Sequence, residues 1–262
     1  TQGLLEEFGP VRVIDSPLAE SSIAGIAMGA AMQGMRPVAE IQFADFIWPT
    51  VNQIVGEAAR ARYGTKGKVN VPMVVRCPYG GHVRGGLFHS QRVEAYFAHT
   101  PGLKVGAPSS PYDAKGLLKS AIRDDDPVLF LEHKRTYRSV RGEVPASDYE
   151  VPIGIAEVKR EGVDATIITY GLILHYALQA AEMIAQDGVK VEVIDLRTIR
   201  PLDKDTILNS IAKTNRALIV HEDNLTGGIG AEVSAVITEN AFAHLDAPVM
   251  RCTGPDVPAM PF

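Results

Sequence analysis

The sequence predicts an α/β protein of two domains, each a mainly parallel sheet flanked by helices. Three observations lead there. Short β-branched apolar runs alternate with amphipathic stretches along the whole chain, the pattern of βαβ units. A stretch with Gly, Pro, Ser and charges but no periodicity, Arg138–Gly154, breaks that alternation near the middle and reads as a linker, giving domains 1–145 and 146–262. At 262 residues, with 46% hydrophobic and 22% charged side chains, the chain is long enough for two ordinary cores.

In the first half, strands are expected near Val38–Phe43, Met73–Arg76, Lys104–Ala107 and Val128–Glu132. Helices are expected near Pro17–Gln33, Pro49–Tyr63, Ser90–Ala98 and Pro111–Arg123. The first helix has a starting signal in Ser16-Pro17, a hydroxyl at the N-cap followed by proline at the first helical position. The second half repeats the alternation more cleanly. "DATIITYG", "KVEVIDLR", "RALIVHED" and "APVMRCTG" are strands, and Leu174–Gln186, Lys204–Lys213 and Ile229–Ala243 are the helices between them. No internal repeat exists beyond this shared pattern.

Composition excludes several classes. A net charge of −5 argues against a nucleic-acid partner, which needs a concentrated basic face. The longest weakly polar run, Ile23–Met35, is too short and too rich in Gly and Ala to span a bilayer, so no membrane partner is expected. "TQGLLEEFG" carries no secretory signal, and Cys77 and Cys252 form no CxxC pair, so a cytoplasmic location is expected. GxGxxG and GxxxxGK[ST] are both absent.

Five local motifs remain. "GTKGKVN" (Gly64–Asn70) reads as a surface turn. "LTGGIGAE" (Leu225–Glu232) places glycines at a helix N-terminus, where they permit helix entry or leave N–H groups for an anion. "RDDDP" (Arg123–Pro127) is a solvated loop or a cage for a hard cation, and "EHKRTYRSVRG" is a solvated basic face or a surface for an acidic partner domain. "PYGGHVRGGLFHSQ" (Pro78–Gln91) is more telling. Four glycines within Gly80–Gly86 let a backbone pass close to a ligand, and His82 and His89 flank them where α/β sites lie, at the carboxyl end of a strand.

The helix "ESSIAGIAMGAAMQGM" carries one charge, Glu20, at its mouth. Gly25 and Gly29 sit four apart on one face, which suits close packing against another helix in the chain or across an interface. A helix with so little polar surface is expected to be buried. Burying an unpaired carboxylate costs several kcal/mol, more than the roughly 0.3–1 kcal/mol a helix dipole returns. Glu20 therefore needs a partner, and no basic residue lies nearby in sequence.

"DSPLAESSIAG", "RPVAEIQFADF", "QIVGEAARARY", "FHSQ", "PGLKV", "SSPYDAKGLLKSAIRDDDPVLFLEHKRTYR" and "VIDLRTIRPLD" together resemble the β subunit of thiamine-diphosphate-dependent 2-oxo acid dehydrogenases. That subunit belongs to the decarboxylating component of the pyruvate and branched-chain complexes. The "EHKRTYR" and "GPDVPAMPF" blocks are most similar to bacterial branched-chain (2-oxoisovalerate) members. Relative to the family, an N-terminal segment and a C-terminal helical tail are missing.

The resemblance implies a pyrimidine-binding domain followed by a transketolase-type C-terminal domain, and it supplies the partner for Glu20. In the family this glutamate hydrogen-bonds a ring nitrogen of the cofactor's aminopyrimidine and favours the imino tautomer, which deprotonates the thiazolium carbon. Phe46 matches the aromatic residue that packs on the aminopyrimidine. His89 matches a histidine that assists acyl transfer to lipoamide. Val71, Met73, Val74, Ala121, Asp124 and Asp126 match positions around a potassium ion in some members, although the family often has asparagine where Asp126 stands. The family's Gly-Asp-Gly motif for Mg²⁺ and diphosphate is absent here. In the family it belongs to a separate α subunit, in an α2β2 heterotetramer with β–β contacts and a lipoyl acyltransferase core. The substrate implied is a small 2-oxo acid. Pyruvate or acetoin dehydrogenase β subunits, and a non-catalytic scaffold subunit, are the alternatives.

Overall fold

The computed structural model describes residues 3–258. A short helix, α1 (Leu4–Phe8), leads into extended chain. Helix α2 starts later than Ser16-Pro17 suggested and runs Glu20–Met32, with Ala19 as a cap that offers no side-chain hydrogen bond. The Ser16 hydroxyl donates to the Pro17 carbonyl (3.3 Å) instead of meeting a helical N–H. The first helical bond runs from Ile23 N–H to the Ala19 carbonyl (2.9 Å).

The run after α2 is strand only over β1 (Val38–Glu40). The chain then folds into two 3₁₀ turns, Ala44–Phe46 and Trp48–Thr50. A π-helical stretch, Asn52–Ala58, and α3 (Ala59–Gly64) follow, replacing the single regular helix expected from Pro49 to Tyr63. The rest of the first half is β2 (Val74–Tyr79), α4 (Glu94–Ala98), β3 (Lys104–Gly106), α5 (Pro111–Arg123), β4 (Val128–His133) and α6 (Thr136–Ser139). Ser110 caps α5, its hydroxyl accepting the Asp113 N–H at 3.1 Å.

The second half comprises β5 (Glu157–Arg160), β6 (Ala165–Thr169), α7 (Ile173–Ala185), β7 (Val191–Asp195), β8 (Thr198–Arg200), α8 (Lys204–Thr214), β9 (Ala217–Asn224), α9 (Ile229–Ala241) and β10 (Met250–Gly254). Two five-stranded sheets result, ordered β1-β2-β4-β3-β8 and β10-β9-β6-β7-β5. Every pairing is parallel except β3–β8 and β5–β7, which close one edge of each sheet. Both closing strands escape the sequence pattern. Strand β5 is half-buried and charged (EVKR), and β8 has three residues.

Strand β8 comes from the second half yet pairs with the first sheet, so the halves interlock. They also share one apolar cluster that runs from Ala24 and Ile54 through Leu131 to Ile194 and Val233. Polar contacts reinforce the junction. Arg197 Nε lies 3.1 Å from Asp113 Oδ1, and the Ser109 hydroxyl donates to Asp195 Oδ1 at 2.8 Å. Burial pushes the Asp195 carboxyl up to about 7. The irregular segment between the halves is held on α5, with Tyr149 stacked on Tyr112 (4.5 Å) and the Ser120 hydroxyl donating to the Val151 carbonyl (2.6 Å). Among the described residues, no helix is long and apolar enough to cross a membrane.

Candidate active site

The Gly-rich loop leaves the carboxyl end of β2, as the sequence indicated, and its conformation requires glycine. Gly80 has φ +85°, and a Cβ there would meet His133 Nε2 at 2.1 Å. His82 and Arg84 also adopt positive φ, so the loop stays folded only because other groups hold it. Glu222, from β9, is the main anchor. Its Oε1 accepts the Gly81 N–H (2.7 Å) and its Oε2 accepts from His133 Nε2 (2.6 Å). His133 Nδ1 in turn accepts the Arg135 N–H at 3.2 Å, which fixes the proton on Nε2. Burial alone would raise the Glu222 carboxyl, but His133, the Gly81 N–H and Arg92 outweigh it and bring the pKa down to about 2.

The far end of the loop carries His89 into an aromatic corner. Its ring stands edge-on to Phe43 (4.7 Å between centroids) and to Phe46 (5.5 Å). Asp45 holds this corner shut, its two carboxylate oxygens accepting the N–H groups of Ser90 (3.3 Å) and Gln91 (3.4 Å). Lys134 Nζ lies 5.3 Å from the Phe43 ring centroid. This nitrogen is buried without a hydrogen-bond partner, and burial lowers its pKa. The structure thus brings Phe46 and His89 together, and it adds Phe43, Asp45, Lys134 and Glu222, which sequence reasoning missed. The run "EHKRTYRSVRG" is only partly the solvated face expected, because His133 and Lys134 are buried at the end of β4. The apolar strand "VLFLE" before them was the available signal.

Glu20 occupies the first position of α2, half-buried, with no hydrogen bond or ion pair among the described residues. Helix α2 packs against the turns directly after Phe46, Trp48–Thr50 and Asn52–Ala58. It is buried on one face only. Ala24, Ala27 and Ala31 enter the core, while Ile26 is 65% exposed and Gly29 has nothing within 4 Å of a built Cβ. Gly25 faces Gln53 Cγ at 3.8 Å. The expectation of a buried helix therefore fails within the chain: the face of Ile26 and Gly29 stays open, while Glu20 shares the helix face of the buried Ala24, Ala27 and Ala31. Leu18 and Phe88 are exposed as well.

The potassium positions lie at the opposite end of β2 and β4. Val71, Met73, Val74 and Ala121 are buried there. Lys104 Nζ sits 2.6 Å from Asp124 Oδ2, and Arg62 Nε sits 2.7 Å from Asp126 Oδ1. Arg36 Nη1 donates to the Asp124 carbonyl at 2.7 Å, and the Met73 carbonyl accepts the Val128 N–H at 2.9 Å. Protein cations and N–H groups meet these oxygens in this arrangement, so a potassium ion there would have to share them. Among the described residues, no group of three or more His, Cys, Asp or Glu side chains is placed to hold a metal.

Comparison with known proteins places this geometry in a family. The transketolase pyrimidine-binding domain matches residues 1–140, and the transketolase C-terminal domain matches residues 154–262. The chain is 60% identical over 262 residues to the 2-oxoisovalerate dehydrogenase subunit beta of Bacillus subtilis, covering all of this chain and 80% of that protein. The chain belongs to the family of 2-oxo acid dehydrogenase β subunits. Another member, the pyruvate dehydrogenase E1 component subunit beta of Bacillus subtilis, is 50% identical over 256 residues, 98% of this chain and 79% of that protein. The mitochondrial 2-oxoisovalerate dehydrogenase subunit beta of Dictyostelium discoideum is 50% identical over 260 residues, covering 98% and 70%. Among solved structures, a split-gene transketolase described as an inactive beta4 tetramer superposes with a TM-score of 0.79 at 25% identity, covering 98% of this chain and 79% of its own. Both sheets and their order of domains accord with that family.

Proposed function

We propose that this chain is the ring-binding half of a thiamine-diphosphate-dependent decarboxylase acting on a branched-chain 2-oxo acid. The observation that carries the reading is Glu20, a half-buried carboxylate with no partner among the described residues, on a helix packed against the segments that follow Phe46, whose ring meets His89. These residues fit the pyrimidine end of the cofactor. Glu20 would hold a proton at a ring nitrogen, Phe46 would pack on the ring, and His89 would assist acyl transfer. When bound, the cofactor would supply a carbon nucleophile for the keto carbon and an electron sink for loss of CO₂. Phe43, Asp45 and the buried side of α2 orient these groups and exclude water around them.

The diphosphate end has no counterpart here, since Gly-Asp-Gly is absent from the sequence. An α subunit would bring it together with Mg²⁺, and the open face of α2 with Ile26 and Gly29 would be covered in an α2β2 assembly. Acyl transfer to a lipoyl acyltransferase core, β–β contacts and a cytoplasmic location complete the proposal. The identity to the 2-oxoisovalerate relative, against that to the pyruvate relative, favours a branched substrate. Reconstitution with the α subunit tests it. Decarboxylation of 2-oxoisovalerate should exceed that of pyruvate, and the reverse preference would assign the chain to the pyruvate branch. No turnover of either acid would leave a scaffold role.

A further inference from the structure

We infer that Gln91 is a positioning residue for His89, and that the chain after β10 holds Gln91 in that place. What this does for turnover rests on the part proposed above for His89, but the geometry stands without it. His89 ends the short 3₁₀ turn Leu87–His89, and its ring has no hydrogen bond among the described residues. Its orientation is left to the rings of Phe43 and Phe46 and to the placement of that turn.

Among the described residues one side chain hydrogen-bonds the backbone of this turn, Gln91 Nε2 donating to the Leu87 carbonyl at 3.2 Å. The chain folds back so closely that a Cβ on Gly85 would meet His89 Cβ at 2.6 Å and the His89 carbonyl oxygen at 3.0 Å. Gly86, at φ +68°, follows. Two glycines let the chain close in this way, and the same freedom lets it open. One added hydrogen bond changes global stability little, but it decides which conformation such a turn holds.

Gln91 is fastened through both its backbone and its side chain. Its N–H donates to Asp45 Oδ2 (3.4 Å), and its carbonyl accepts the Gly80 N–H (3.0 Å), which closes the neck of the Gly-rich loop. A side-chain amide carries two donor hydrogens. Besides Leu87, Nε2 meets the Pro258 carbonyl at 3.2 Å, from a residue 167 positions further along the chain. Pro258 belongs to a strap that leaves β10 and is tied down by Asp256. The Asp256 carboxylate accepts the Thr226 N–H (2.9 Å) and the Thr226 hydroxyl (2.7 Å), in the turn from β9 into α9. One amide thus joins the turn that carries His89 to the second half of the molecule. No apolar or acidic side chain of the same shape could donate to both carbonyls.

Gln91→Met tests this, because it keeps the length of the side chain and removes both donors while the backbone bonds to Asp45 and Gly80 remain. Nuclear magnetic resonance of the chain with isotope-labelled histidine, its His89 signal assigned through His89→Ala, reads the surroundings of the ring. The rings of Phe43 and Phe46 displace that signal in the parent, and in Gln91→Met it should move toward the position of an exposed histidine. The unfolding midpoint should fall by no more than about 4 °C. In the enzyme reconstituted with its α subunit, Gln91→Met should slow lipoamide acylation about 10-fold and leave turnover with an artificial acceptor unchanged. Asp256→Ala, on the exposed strap, should shift the His89 signal in the same direction by less. An unmoved signal in Gln91→Met would overturn the proposal, and an unmoved signal in Asp256→Ala would overturn the part given to the chain after β10. A displaced signal with unchanged acylation would uphold the positioning and overturn the part proposed for His89.

Discussion

Two glutamates in this molecule meet opposite fates. Glu222 lies deep between the halves and is met on every side, by the Gly81 N–H, His133 and Arg92, which bring its pKa down to about 2. Glu20, at the mouth of α2 on the face that leads to Ala24, Ala27 and Ala31, has no partner among the described residues. A carboxylate satisfied within its own chain contributes to the fold. One left unmet gains a partner only from whatever docks there. The contrast separates a region whose carboxylate is met within this chain from one whose carboxylate is not, as the proposed ring-end site requires.

The same substitution at both positions should therefore give opposite signatures. In the reconstituted enzyme, Glu20→Gln should lose about 10²–10⁴-fold in decarboxylation, as removal of a positioned acid–base group does. Its stability should stay within about 0.5 kcal/mol of the parent. Glu222→Gln should instead lose about 1–3 kcal/mol in urea unfolding, because the hydrogen bonds around His133 and Gly81 weaken in a buried site. Near-normal turnover in Glu20→Gln, or unchanged stability in Glu222→Gln, would erase the distinction.

His89 sharpens the contrast within the open region. It touches both Phe43 and Phe46, and its proposed part in acyl transfer can be separated from mere positioning of the ring. His89→Ala should slow lipoamide acylation more than turnover with an artificial electron acceptor. Equal losses in the two assays would make it a residue that only positions the cofactor.

Much of this was legible from the residues. The repeated βαβ pattern came from runs such as "VLFLEH" and "ATIIT", whose burial on both faces leaves an unbroken apolar signature. Glu20 drew notice because a lone charge in an apolar helix needs explanation. What the sequence hid was fixed by tertiary partners. Strand β8 exists because β3 offers it an edge, and the π-helical stretch at Asn52–Ala58 belongs to the seat against α2. The start of α2 was misplaced because Ser16 spends its hydroxyl on the Pro17 carbonyl. Glu222 looked like an ordinary strand-end acid, since nothing local reveals that Gly81 and His133 converge on it.

A smaller effect tests the closed region by pH. Glu94 is fully buried, accepts the Tyr170 hydroxyl at 3.0 Å, and is pushed by burial up to about 8. A raised carboxyl pKa means the folded state holds the proton more tightly. Its stabilising contribution is complete below the unfolded value near 4.5 and is lost as pH rises through about 8. Glu94→Gln should flatten the decline in stability across that window in urea unfolding and exceed the parent above it. A variant that declines in parallel with the parent would show that another group sets the slope.

The central claim, that this chain holds the ring end of a shared site and not the diphosphate end, is tested most directly by calorimetry. Thiamine diphosphate with Mg²⁺ is titrated into the isolated chain and then into the chain with its α subunit. The account predicts no tight binding in the first titration and strong Mg²⁺-dependent binding in the second. Submicromolar binding by the isolated chain would contradict it, because a diphosphate cradle would then exist among these residues.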